Sequence, residues 1–315
     1  MTDALPQPAP DTPAPAVSVV MPVYNALRYL HDAVTSILQQ TFRDFEFIIL
    51  DDGSTDGSLE LLKAFAAADR RVRLIAGEHV GYVELLNRGL AMARADLVAR
   101  MDADDFALPQ RLEKQVAYLR EHPDCVLVGS QVIMMDKDSL PIAEMPGIPL
   151  EHEKIDEYLM LAGWPIVHPA VAMRRDAVLA AGCYDPAARP HEDHDLFLKL
   201  AERGRLANLP EVLLRYRRHY ESVIYSEEKA GGKGITPLVA AARQRRGLPP
   251  APPEPWRDVV VPQSQRLRKQ RQTWCWWALK AGNIKTARKH ALALVRSAPF
   301  DLESWRVMYC AVRGR

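Results

Sequence analysis

The chain has 315 residues, 48% of them hydrophobic, and its 41 Lys and Arg nearly balance 40 Asp and Glu. That balance excludes an overall polybasic nucleic-acid binder, and the apolar share can fill the core of one large domain or somewhat more. Four cysteines without a CxxC pair exclude a disulfide framework and a zinc cluster, so a reducing cytoplasm is expected; no apolar run reaches the roughly 18 residues of a spanning helix.

Residues 1–15 carry five prolines and little that is large and apolar, the composition of a disordered tail. They also lack the basic start and apolar stretch of a secretory signal. From Val17 to Val23 the sequence turns β-branched and apolar, as in a strand buried on both faces. Leu30, Ala33, Val34, Ile37 and Leu38 then recur at helical spacing and predict a helix over Leu27–Gln39. A strand at Phe45–Leu50 and a helix at Leu59–Ala68 follow. Next come a strand at Val72–Ile75, a helix at Val83–Arg94, a strand at Leu97–Met101 and a helix around Leu112–Leu119. This alternation predicts right-handed βαβ units and an α/β fold, an open and mostly parallel sheet with helices on both faces.

Cys125–Met135 reads as one more strand, after which the pattern becomes irregular. Strands are expected at Val167–Met173 and Val212–Arg218, with a helix near Leu196–Arg203. The expected organisation is a body over 16–225, a Gly/Pro-rich linker over 226–263 and a helical extension over 264–315. The extension should hold helices at Leu267–Ala281, Thr286–Arg296 and Leu302–Val312. Its twelve basic residues face only Asp301 and Glu303, so a formal +10 sits there and −9 in the rest of the chain.

Ligands of such sheets bind beyond the carboxyl ends of the strands. Three polar clusters fall at those ends: Pro22-Val23-Tyr24-Asn25, Asp51-Asp52-Gly53-Ser54-Thr55-Asp56-Gly57 and Asp102-Ala103-Asp104-Asp105. No GxGxxG or GxxxxGK[ST] occurs there, which removes the main support for dinucleotide and P-loop readings. Three carboxylates within four residues repel one another unless a cation joins them, and a hard divalent metal does so while leaving positions for phosphate oxygens. A solvated Asp-rich turn or helix cap is the plainer reading, and Asp52-Gly53 is itself a turn signal. His191-Glu192-Asp193-His194-Asp195 opens an apolar helix. It reads either as capping with favourable macrodipole interactions or as a carboxylate placed to accept a proton. Its two histidines give zinc little support, since no further ligands stand at the right spacing.

Taken in order, Val17–Asn25, Asp51–Asp56, Asp102-Ala103-Asp104-Asp105 and Glu192-Asp193 closely resemble glycosyltransferase family 2. Leu86-Asn87-Arg88-Gly89-Leu90, Leu108-Pro109-Gln110-Arg111-Leu112, His168-Pro169-Ala170-Val171 and Leu209–Arg217 match between and after them. The resemblance runs from about Val17 to Val223. It implies a GT-A fold with a nucleotide-sugar half (16–135) and an acceptor half (136–225), a nucleotide-sugar donor, Mn²⁺ or Mg²⁺ as cofactor, and inversion at the sugar carbon.

Residue by residue, the resemblance implies that Pro22, Tyr24 and Asn25 line the nucleoside pocket, and that Asp52 accepts a hydrogen bond from a uracil ring. Asn87 falls among the donor-binding residues. Asp104 is the implied metal ligand, with Asp102 near the ribose or acting through water. Asp193, beside Glu192, is the implied catalytic base, and His219 an implied neighbour of diphosphate or metal. The Gln/Arg-x-x-Arg-Trp signature and membrane spans of processive members are missing, so the resemblance is to non-processive enzymes of bacterial polysaccharide synthesis, adding one sugar at a time. The expected acceptor is a carbohydrate or a lipid-linked saccharide.

Two other readings compete: a sugar nucleotidyltransferase, which would want a Gly-rich phosphate loop after the first strand, and an inactive carbohydrate-binding scaffold. For 264–315, Trp274, Trp276, Trp277 and Trp305 among basic residues suit an anionic membrane surface, which would make the protein peripheral on the inner face of the cytoplasmic membrane. The plainer reading is a helical hairpin that packs its Trp and Leu side inward and leaves a solvated basic face. No nucleic-acid motif accompanies the charge.

Overall fold

The structure, a computed structural model, describes residues 13–218, 234–250 and 263–314. The chain divides into two compact units, one drawn from 1–131, 147–214 and 223–251, the other from 132–146, 215–222 and 252–315.

The first unit begins with β1 (Val17–Val23), α1 (Leu27–Leu38), β2 (Phe45–Asp51), α2 (Ser58–Ala68), β3 (Val72–Ala76), α3 (Tyr82–Met92) and β4 (Leu97–Arg100). Every residue of β1 and β2 is buried, the reason both read as unbroken apolar runs. β3, β2, β1 and β4 lie side by side and parallel. Gly89 shows how tightly α3 lies on this sheet, since a Cβ there would stand 2.3 Å from Val20 Cγ1.

β5 (Phe106–Ala107), α4 (Arg111–Glu121), β6 (Cys125–Met135) and β7 (Pro141–Glu144) follow, then α5 (His152–Met160), β8 (Ala172–Arg174), α6 (Arg175–Ala180), α7 (Glu192–Ala201) and β9 (Arg205–Arg217). The sheet continues past β4 as β8, β6, β9 and β5, and it turns antiparallel at β8, which pairs in that sense with both β4 and β6. The expected strand at Val167–Met173 is mostly a 3-10 turn over His168–Ala170, with only β8 left extended. Pro169 is the cause: it offers no ladder N–H and fixes φ. The stretch 226–263, a linker by composition, contains α8 (Thr236–Arg245). Ile235, Val239 and Ala242, at one helical face, join the core of the first unit.

In the second unit, the end of β6 pairs antiparallel with β7, and α9 (Gln263–Lys280), α10 (Ile284–Ser297) and α11 (Leu302–Arg313) form a helical core around Cys275, Ala291, Leu294 and Val307. Trp274 packs with Met134 and Ile142. Thr286 Oγ1 donates to Pro141 O at 2.6 Å and Asn283 Nδ2 to Ile142 O at 3.0 Å. Residues 136–146, expected in the acceptor half, thus belong with the C-terminal helices. All four cysteines are free. No helix of the described residues is long and apolar enough to cross a membrane.

Candidate active site

The carboxyl ends of β1, β2 and β4 bring the three clusters together. After β1 the chain turns at Asn25, whose φ of +47° Asn tolerates better than most residues. Asn25 Oδ1 accepts from Thr55 N at 2.8 Å, and Ser54 Oγ accepts from Asn25 N at 3.0 Å, tying the first two clusters. Tyr24 is 51% exposed, and its ring lies 4.4 Å from that of His79. Pro22 is buried as the penultimate residue of β1.

Asp52 does not present an open acceptor. Its Oδ1 accepts from Val80 N at 2.7 Å, and its Oδ2 accepts from Gly81 N at 3.0 Å and stands 2.9 Å from His79 Nδ1. Gly53, at φ +76°, lets this loop close in, because a Cβ would meet His79 N at 3.2 Å. Asp52 is thus tied to the loop that carries His79. Asn87 is likewise engaged: its amide donates to Tyr184 O at 2.8 Å and accepts from Tyr184 N at 3.0 Å.

Beyond β4, single oxygens of Asp102, Asp104 and Asp105 all come within 4.8 Å of one another. Among the described residues no other group of three or more His, Cys, Asp or Glu does this. Burial, and less strongly the charge of Asp104, push the Asp102 carboxyl up against the pull of Arg100, with which it forms an ion pair. Arg111 lies beneath, fully buried, donating to Arg100 O at 2.6 Å and Val171 O at 3.2 Å. Burial pushes its guanidinium down to about 9 against the pull of Asp105. An all-oxygen donor set with negative charge left over fits a hard divalent cation.

α7 starts at Glu192, so Glu192, Asp193 and Asp195 fill its first turn. Asp193 Oδ1 accepts from His194 N at 2.7 Å. Burial pushes the Asp193 carboxyl up to about 6, with that hydrogen bond and Arg100 pulling against it and Asp102 adding to it. Asp193 and Asp102 therefore share the field of one buried arginine.

Several residues here escaped the sequence reading. Arg100 donates to Tyr82 Oη, which stands 3.3 Å from His168 Nδ1, and His168 Nε2 is 2.8 Å from Tyr184 Oη. Burial holds the His168 imidazole well below its ordinary value, and pushes both phenols up. The available signal was a charged residue ending an otherwise apolar buried strand. Trp164, 47% exposed, lies 5.6 Å from the rings of both His191 and His194, which flank Glu192 and Asp193. Nothing in the sequence around His79 marked it. His219 lies outside the described residues.

The sequence profile described as Glycosyl transferase family 2 matches residues 18–181, just over half the chain. The chain belongs to that family. EpsE of Bacillus subtilis is 36% identical over 209 residues, covering 64% of this chain and 73% of that protein. The amylovoran biosynthesis glycosyltransferase AmsE of Erwinia amylovora is 33% identical, covering 64% and 75%. Among solved structures, Staphylococcus aureus TarS 1–349 in complex with UDP-GlcNAc superimposes with a TM-score of 0.54 at 15% identity, covering 95% of this chain and 92% of that one. The mannosyltransferase PcManGT of Pyrobaculum calidifontis, in complex with GDP-Man and Mn²⁺, gives 0.53 at 16%, covering 99% and 84%. At such identities the likeness speaks for the fold, which is GT-A-like. This glycosyltransferase thus carries its acidic clusters on the sheet edge where α/β folds bind ligands.

Proposed function

We propose that this glycosyltransferase moves one sugar, with inversion, from a nucleotide-sugar to a hydroxyl of a carbohydrate or lipid-linked saccharide during polysaccharide synthesis. The observation that carries the reading is Asp193, raised to about 6 by burial, in the same electrostatic field as the Asp102, Asp104 and Asp105 group. Complexes of TarS with UDP-GlcNAc and of PcManGT with GDP-Man and Mn²⁺ support the donor class and the metal. The biosynthetic name of AmsE supports the polysaccharide setting. Four free thiols are in keeping with a cytoplasmic location.

Asp193 takes the proton of the acceptor hydroxyl as that oxygen attacks the anomeric carbon from the side opposite the diphosphate. The bond from that carbon to the phosphate oxygen breaks, and its electron pair leaves with the nucleoside diphosphate. Glu192 adds negative charge at the head of α7. Asp104 would hold a divalent cation, with Asp102 and Asp105 beside it; such an ion, when bound, neutralises charge on a diphosphate. Pro22, Tyr24 and Asn25 form the nucleoside wall together with His79, which Asp52 holds in place. Asp52 thus serves the pocket through the loop, and Asn87 serves it by fixing the Tyr184 segment. Trp164, exposed beside His191 and His194, offers a flat face to an acceptor sugar.

Thermal-shift screening of UDP- and GDP-sugars with and without Mn²⁺, followed by product analysis, tests the reading. A donor that stabilises the protein and yields nucleoside diphosphate supports it. Pyrophosphate as product would transfer the chain to the nucleotidyltransferases, and silence from every donor would leave a carbohydrate-binding scaffold.

A further inference from the structure

α11 has two apolar sides. Ser304, Val307 and Ala311 face inward and are buried. Leu302, Trp305, Tyr309 and Val312 stand at intervals of three and four, which gathers them into one stripe on the opposite side. They are 86%, 52%, 59% and 58% exposed, and Phe300, in the turn leading into the helix, is 98% exposed. Singly exposed apolar residues are ordinary, whereas four on one stripe with a fifth in the turn before it mark an interaction surface.

The stripe is bordered by arginines. The Arg313 guanidinium lies 5.0 Å over the Tyr309 ring, and Arg306 lies next to Trp305 in sequence. Both carboxylates of 264–315 are already engaged. Asp301 caps α11 through Ser304 N at 2.7 Å and pairs with Arg268, while Glu303 accepts from Arg306 at 3.1 Å and from Gln272 at 3.0 Å. The +10 of this segment is therefore not answered by its own acids.

We propose that the outer face of α11 docks on an anionic lipid bilayer. Trp305 and Tyr309 suit the headgroup level, Phe300, Leu302 and Val312 the acyl boundary just below it, and the bordering arginines meet lipid phosphates. Charge discriminates among the occupants. A second copy of the chain would bring two +10 segments face to face, and a nucleic acid would leave Leu302 and Val312 without an apolar partner. The docking residues are also distinct from the tryptophan cluster of α9, since Trp274 is only 4% exposed and lies against Met134 and Ile142.

Flotation of the full chain with phosphatidylcholine vesicles, and with vesicles in which roughly a third of the lipid is phosphatidylglycerol, tests this. The protein should float with the anionic vesicles and not the neutral ones, and salt should weaken the association. Trp305→Ser with Tyr309→Ser should reduce flotation about tenfold, with the melting temperature only slightly lowered, since both side chains are more than half exposed and only the bond from Trp305 Nε1 to Pro299 O, at 2.7 Å, is lost. Arg313→Glu alone should weaken it to a smaller extent. Absence of wild-type flotation, or flotation undiminished in the double variant, would overturn the proposal. Equal flotation with neutral vesicles would overturn the anionic surface, and a dimer in light scattering that the double variant dissolves would assign the stripe to a second copy.

Discussion

The two units bury carboxylates under opposite conditions. In the second, Asp136 is 1% exposed and is met by Lys289 at 2.5 Å, His290 Nε2 at 3.1 Å and the N–H groups of Asp138 and Leu140. Burial would push this carboxyl up, but those bonds outweigh it and hold it well below the ordinary range. In the first unit, burial raises Asp102 and Asp193, and the opposing pull of Arg100 offsets only part of it. One sheet even shows both conditions at its two ends. Glu46, at the amino-terminal end of β2, takes Ser18 Oγ at 2.6 Å, Arg73 at 2.6 Å and Arg94 N at 2.8 Å, and is lowered despite burial. The difference teaches that an answered carboxylate is a fastener, while charge left over is available for a proton or a cation.

The contrast can be broken from either side. The largest effect is expected from Asp193→Asn, which should lower kcat by roughly 10²- to 10⁴-fold with donor affinity by calorimetry unchanged. Transfer near wild type would remove the base assignment. Asp136→Ala should instead destabilise the protein by about 3–5 kcal/mol in urea unfolding, because Lys289 and His290 lose a buried partner. Because Asp136 is lowered when folded, its contribution is complete above the ordinary Asp value of 3.8 and fades as pH falls below it. Wild type and Asp136→Asn should therefore converge in stability in acid. Asp104→Asn should weaken Mn²⁺-dependent donor binding by roughly 10²-fold or more, the scale on which metal sites respond to lost support. Donor affinity that stays metal-dependent and unchanged would count against the ligand role.

The parallel half of the fold was legible because β1, β2 and β4 are buried on both faces and so carry unbroken apolar runs, while Leu30, Val34 and Ile37 mark the core side of α1. The antiparallel half was less so. β5 has two residues and β8 three, too short for a period, and Pro169 sits inside an apolar run that otherwise reads as strand. α8 was masked by its Gly- and Pro-rich surroundings. Acidic clusters confined to one stretch, such as Asp102 to Asp105 or Glu192-Asp193, could be seen in the sequence. Chemistry assembled across the fold could not. The Arg100, Tyr82, His168 and Tyr184 chain joins residues up to 102 positions apart through hydrogen bonds that no local pattern encodes. Asp52 stands out by its motif, but its partners at 79–81 carry no local signal.

The smallest effect separates the two kinds of carboxylate most sharply. Asp193 has a folded pKa of about 6 against an ordinary 3.8, so the folded protein holds this proton more tightly than the unfolded chain does. Its stabilising contribution is complete below the ordinary value and is lost as pH rises through about 6, the reverse of Asp136. Above that pH the ionised carboxylate costs about 1–3 kcal/mol, and Asn, which cannot ionise, should recover much of it. Asp193→Asn should therefore melt higher than wild type at pH near 8 and equally at pH near 4, whereas Asp136→Asn should melt lower at both and approach wild type only in stronger acid. With Asp193 as the proposed base, the same ionisation should set the ascending limb of kcat/KM against pH, with an apparent pKa of about 6 in the free enzyme. A rise in stability without that limb would make Asp193 a strained carboxylate with no part in proton transfer. Both together tie the cost in stability to the chemistry, because a base that is ready to take a proton at neutral pH must be one the fold has left short of partners.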